Sequence, residues 1–153
     1  VHALPDRTAI IELIDRYMVS LDDRVFDDAW ARAFHTEDFA ATTPVGDGAG
    51  LAETIESTRA AVGRFDATQH FSSNHIVDLD GDRARVRWYA LMVHVHLAET
   101  ARARGQEPGA HFDVGGTFEG EAVRTAQGWR FRRLDVRPVW FNGQPPVFEQ
   151  ATA

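Results

Sequence analysis

Between Thr68 and His75 the chain reads Thr-Gln-His-Phe-Ser-Ser-Asn-His, a run of imidazoles, hydroxyls and amides with a single bulky apolar residue. Strands of a small domain ordinarily fill such positions with Val, Ile or Phe, so a polar strand among apolar elements reads as the wall of a pocket. A second pair, His94-x-His96, has the spacing that puts both rings on one face of a strand. Three chemistries fit these histidines. One is general acid–base catalysis, in which a carboxylate orients an imidazole and raises its pKa. Another is a metal site on His94 and His96 completed by Asp22 or His70. In the third, each His is a hydrogen-bonded or surface residue. Cysteine and lysine are both absent, which excludes thiolate nucleophiles, Cys-ligated metals, Schiff bases and P-loops.

A carboxylate for the first chemistry is supplied by the first helix. Asp6 is its expected N-cap, and the helix runs to about Ser20 or Leu21, with Ile10, Leu13, Ile14, Tyr17 and Leu21 at helical spacing. Stepping back from Asp22 by four, four and three residues meets Met18, Ile14 and Ile11, all apolar. The same steps from Asp23 meet Val19, Asp15 and Glu12. Residues three and four apart share a face, so Asp22 points inward and Asp23 outward. An inward carboxylate needs a partner, because an unpaired buried charge is costly.

The elements that position these groups follow from pattern. A second helix covers about Val25 to Phe34, His35–Asp38 is a turn, Phe39–Thr43 a short strand, and Pro44–Gly50 a loop. A third helix carries Leu51, Ile55, Thr58, Val62 and Phe65. From there the period is two, with strands over Ala67–Leu79, Arg83–Leu97, Phe112–Arg124 and Trp129–Phe141. Asp80-Gly81-Asp82 and Ala126-Gln127-Gly128 are turns, Ala98–Ala110 is a long loop, and Gly115-Gly116 marks a bulge. On the strand of His70, alternation puts Thr68, His70, Ser72, Asn74 and Ile76 on one face, with His75 on the other. On the last strand it groups Trp140 with Leu134, Val136 and Pro138. Helices followed by an antiparallel meander give an α+β fold with the helices on one face of a curved sheet.

With 153 residues, 44% hydrophobic and 25% charged, the chain is expected to form one soluble domain over 1–153. No apolar run is long enough to span a membrane, and a signal segment is not visible. A formal charge of −7 argues against nucleic acid or anionic membrane as partner, and a cysteine-free chain is compatible with a cytoplasmic home.

The order of three helices and a meander, the helix ending in Leu21-Asp22, and Thr68-Gln69-His70-Phe71 resemble the SnoaL-like, scytalone-dehydratase-like family of the nuclear-transport-factor-2-like superfamily. So do Gly116-Thr117-Phe118 and Gly128-Trp129-Arg130-Phe131. The resemblance implies a cone-shaped, strongly bent sheet closed by three N-terminal helices over one deep pocket, in homodimers or homotrimers. It implies that Asp22 pairs with His70, that His70 abstracts a proton, and that water or halide leaves without any cofactor or metal. It aligns His94 with a second active-site His and Arg124 with an Arg of the dehydrochlorinase members. Tyr17, Ser72, Asn74, His96 and Trp140 complete the expected lining. The family's substrate-polarising groups do not carry over: its tyrosines fall on Leu21 and Ala41–Thr43, and its extra lysine has no counterpart. The expectation is a lyase or isomerase acting on a small, largely apolar or polycyclic metabolite. A polyketide cyclase and a non-catalytic binding protein are the alternatives.

Overall fold

The computed structural model describes residues 3–147. Helix α1 (Ala3–Asp23) buries the row Ile10, Leu13, Ile14, Tyr17, Met18 and Leu21. Asp6 does not cap it, because the helix begins before that residue; its carboxylate instead accepts from Trp129 Nε1 at 3.3 Å. Helix α2 (Asp28–Phe34) starts later than its apolar residues indicate, because Asp27 is the cap: its carboxylate accepts from the backbone N–H of Trp30 at 2.7 Å. The expected turn at His35–Asp38 is the start of strand β1 (His35–Thr43), and the expected loop contains strand β2 (Gly46–Ala49). Helix α3 (Leu51–Val62) leads into β3 (Phe65–Asp80) and β4 (Arg83–His96). The long loop carries a short helix, α4 (Ala98–Ala103), before β5 (His111–Thr125) and β6 (Gly128–Asn142).

The six strands lie in the order β2-β1-β6-β5-β4-β3. Pairing is antiparallel except between β1 and β6, which run parallel. The sheet is therefore mixed rather than wholly antiparallel, and it stays open, with β2 and β3 as edges. Its inner face carries Val86, Trp88, Ala90, Met92, Phe118 and Leu134, all buried against the helices. Register shifts at Gly115/Gly116 and Glu121/Ala122 bend it. α1 packs along the edge strand β3, which brings the end of α1 to the polar stretch of β3.

Two of the register slips turn expected lining residues away from the inner face. Between Ser73 and Ile76 the β3–β4 register slips, and Asn74 has a φ of 54°. One extra residue in a strand moves every later side chain to the opposite face. Thr68, His70 and Ser72 face α1, and after the slip His75, Val77 and Leu79 do so, leaving Asn74 and Ile76 exposed. The inner-face alternation expected through Asn74 thus ends at Ser72. On β6, Gly116 pairs with Pro138 but Gly115 pairs with Trp140, so Val139 is the extra residue. Trp140 therefore shares the outer face with Gly115 and Leu91, not the face of Leu134 and Val136. Phe141 takes the inward position, stacked on Phe112 at 5.7 Å between ring centroids.

Candidate active site

The carboxylate of Asp22 is held by three donors from β3. Thr68 Oγ1–H donates to Oδ1 at 2.9 Å, the backbone N–H of His70 to Oδ2 at 2.9 Å, and His70 Nδ1–H to Oδ1 at 2.7 Å. A carboxylate can only accept, so the proton of the neutral His70 ring lies on Nδ1 and Nε2 keeps its lone pair. The His70 side chain is 5% exposed and that of Asp22 is 23% exposed. Burial lowers the pKa of His70 more than Asp22 raises it, and the charge of Arg24 lowers it further. The net shift is downward, opposite to the expected rise, because the imidazolium loses more hydration than one carboxylate restores. Near neutral pH the ring is a free base.

His94, on the inner face of β4, lies edge-on to His70 with centroids 5.6 Å apart. Its Nδ1–H donates to the Phe112 carbonyl at 2.9 Å, and its ring packs on Phe65 at 4.5 Å. Burial is the main reason its pKa is lowered. With Nδ1 committed to a carbonyl, the neutral ring offers an acceptor at Nε2, not a donor. Arg24, just past α1, crosses to the start of β3, where Nη1 donates to the Phe65 carbonyl at 3.0 Å.

A second cluster sits two helical turns before Asp22. Asp15 Oδ1 accepts from Ser72 Oγ at 2.6 Å and lies 3.1 Å from His75 Nε2. Ser72 is thus bound to α1, and His75 shares the helix-facing side of β3 with His70.

The other expected lining residues are dispersed. Tyr17 is buried among Phe34, His35 and Phe131, and burial raises its pKa to about 12. His96 is 2% exposed at the end of β4, next to Phe65. Asn74 and Trp140 face outward for the reasons given above. Arg124 pairs with Asp6 at 2.7 Å and Asp82 at 2.8 Å and stacks on Trp129, at the turn joining β3 to β4 and so at the other end of these strands from His70 and His94. His94 and His96 gather no third ligand: among the described residues no group of three or more His, Asp and Glu could hold a metal ion.

Among the described residues, surface grooves lie away from this site. One of about 660 Å³ runs over the outer face between Arg87, Glu119 and Arg133. Another, of about 900 Å³, separates the end of α3 from α4, and a third of about 330 Å³ lies beside Arg124.

Sequence reading missed Arg24, the bond of Thr68 to Asp22, and the inward turn of His75. The Ser73-Asn74 pair, with Asn tolerant of left-handed φ, and Pro138 within a strand were the available signals for the two slips. For Arg24 there was none.

The SnoaL-like domain model matches residues 2–135. The fold is also that of the Kfla4162 protein from Kribbella flavida, 32% identical over 92% of this chain and 95% of that one, with a TM-score of 0.82. A protein proposed to be a scytalone dehydratase from Novosphingobium aromaticivorans superposes at 0.79, with 20% identity over 94% and 91%. The hexachlorocyclohexane dehydrochlorinase LinA-type3 from Novosphingobium barchaimii superposes at 0.76, with 17% identity over 96% and 95%. No curated protein matches the chain.

Proposed function

The chain belongs to the SnoaL-like domain family, and from that premise we propose that it is a cofactor-independent lyase or isomerase in which Asp22 and His70 form a general-base dyad. The observation that carries this is the Nδ1–H to Oδ1 bond of 2.7 Å, on a carboxylate also held by Thr68 and by the His70 amide. Three donors fix the carboxylate, the carboxylate fixes the tautomer, and Nε2 is left as a base with a lowered pKa. His70 Nε2 takes a proton from carbon, and the electrons of that C–H bond form the new double bond. Hydroxide or halide departs from the neighbouring carbon, and the imidazolium, stabilised by Asp22, returns its proton to a departing hydroxide as water or, after loss of halide, releases it to solvent. Returning the proton to another carbon instead completes an isomerisation. His94 serves as acceptor for a substrate hydroxyl, since its Nδ1 proton is already used; donation by it requires the protonated ring.

The substrate in this proposal is a small, largely apolar molecule handled in the cytoplasm. Across the outer face Phe71, Leu91 and Trp140 form one row over four strands through the pairs Phe71–Leu91, Leu91–Gly115 and Gly115–Trp140. These three are 46%, 40% and 47% exposed, and the row supports a homo-oligomer closed over this face. The dyad is tested by elimination, or deuterium incorporation from D₂O, with a panel of carbonyl-activated substrates. The expected loss is at least about a hundredfold in His70→Ala. Activity within tenfold of wild type in both His70→Ala and Asp22→Asn rejects the dyad.

A further inference from the structure

When a base removes a proton from carbon, negative charge gathers on a substrate oxygen, and a donor already aimed at that oxygen lowers the barrier. Arg24 has the properties of such a donor. It follows Asp22 by two residues and closes α1 with its N–H on the Ser20 carbonyl at 3.3 Å. Its φ is 59°, a left-handed conformation usually left to Gly or Asn at a helix end.

That side chain crosses to the start of β3, where Nη1 donates to the Phe65 carbonyl. The Phe65 ring lies 4.5 Å from that of His94, and His94 lies 5.6 Å from His70. Burial is the main cause of the lowered pKa of His70, and the charge of Arg24 adds a smaller push in the same direction. The second nitrogen, Nη2, is buried and has no hydrogen-bond partner among the described residues. A buried cationic N–H without an acceptor is costly, and a ligand oxygen removes that cost.

We propose that Arg24 Nη2 binds the substrate oxygen on which negative charge develops, so that the substrate is a carbon acid activated by an adjacent carbonyl or carboxylate. This rests on the reading of His70 as the base, and it adds the group that makes the proton acidic. Nη1 fixes the guanidinium to the sheet, and the planar fork directs Nη2.

Benzoate is the probe, because it presents an anionic oxygen on a small apolar ring. In the wild-type protein, benzoate shifts the ¹⁵N resonances of the Arg24 guanidinium and binds at least tenfold more tightly than neutral benzyl alcohol. In Arg24→Gln that preference disappears. A wild-type Arg24 resonance unmoved by benzoate, or equal benzoate affinity in wild type and Arg24→Gln, overturns the assignment. If Arg24→Gln does not fold, the wild-type resonance decides alone. Benzoate binding is independent of base chemistry, so His70→Gln keeps it. A protein that binds benzoate through Arg24 but retains turnover in His70→Gln loses the dyad and keeps the anion site.

Discussion

At the scale of single residues, the protonation of the proposed dyad is set by a competition that burial wins. Asp22 favours the imidazolium of His70, desolvation disfavours it, and the result is a base whose pKa lies below the ordinary 6.5. The acid limb of the pH–rate profile is therefore expected below pH 6.5, with activity rising as His70 loses its proton; a limb above 7 contradicts this. Thr68 contributes one of three hydrogen bonds to the carboxylate and touches no reacting atom. Thr68→Val is expected to lower turnover about tenfold with little change in KM, and to cost on the order of 1 kcal/mol in urea unfolding. Thr68→Ser, which restores the hydroxyl, recovers the rate. The inward carboxylate was legible from helix rows, because a period of 3.6 makes a face out of spacing. The identity of its partner was not, since no spacing rule says which strand lies beneath a helix end; that came from family resemblance. The resemblance placed His94 in the site, but a bond to a backbone carbonyl determines its tautomer, and backbone partners leave no trace in residue type.

At the scale of elements, the two slips decide which polar residues belong to the site. The bulge at Asn74 depends on a positive φ that a β-branched side chain resists. Asn74→Val is expected to destabilise by about 1–2 kcal/mol in denaturant unfolding, and Asn74→Gly to be near neutral. Equal stability of the two variants contradicts a left-handed residue there. Strands and helices were legible from period, including the Gly115-Gly116 bulge. The face assignment failed beyond Ser72 and beyond Pro138 because alternation carries no memory of an inserted residue. The short elements β2 and α4 were read as loops, since a few residues rich in Gly, or interrupted by Arg and Glu, hold too little pattern to declare themselves.

At the scale of the molecule, buried neutral histidines tie folding to pH. His35 is 3% exposed within a cage of Tyr17, Trp30, Phe34, Phe39 and Phe131, and burial lowers its pKa to about 4. A His whose pKa falls on folding binds protons preferentially when unfolded. Stability is then full above about pH 6.5 and declines as pH falls toward 4, with His35 alone contributing about 3 kcal/mol to the decline. Urea unfolding at pH 7 and pH 4.5 checks it, with a shallower loss expected in His35→Phe. The outer-face row predicts self-association, and Leu91→Glu is expected to shift sedimentation toward the monomer. Whether the fold holds a base at the junction of α1 and β3 is tested most directly by a ¹⁵N imidazole titration of His70, which needs no substrate. The prediction is a proton on Nδ1 and a bare Nε2 at pH 7, a midpoint below 6.5, and a further fall in that midpoint in Asp22→Asn. A proton on Nε2 at pH 7, or a midpoint that ignores Asp22→Asn, contradicts the dyad.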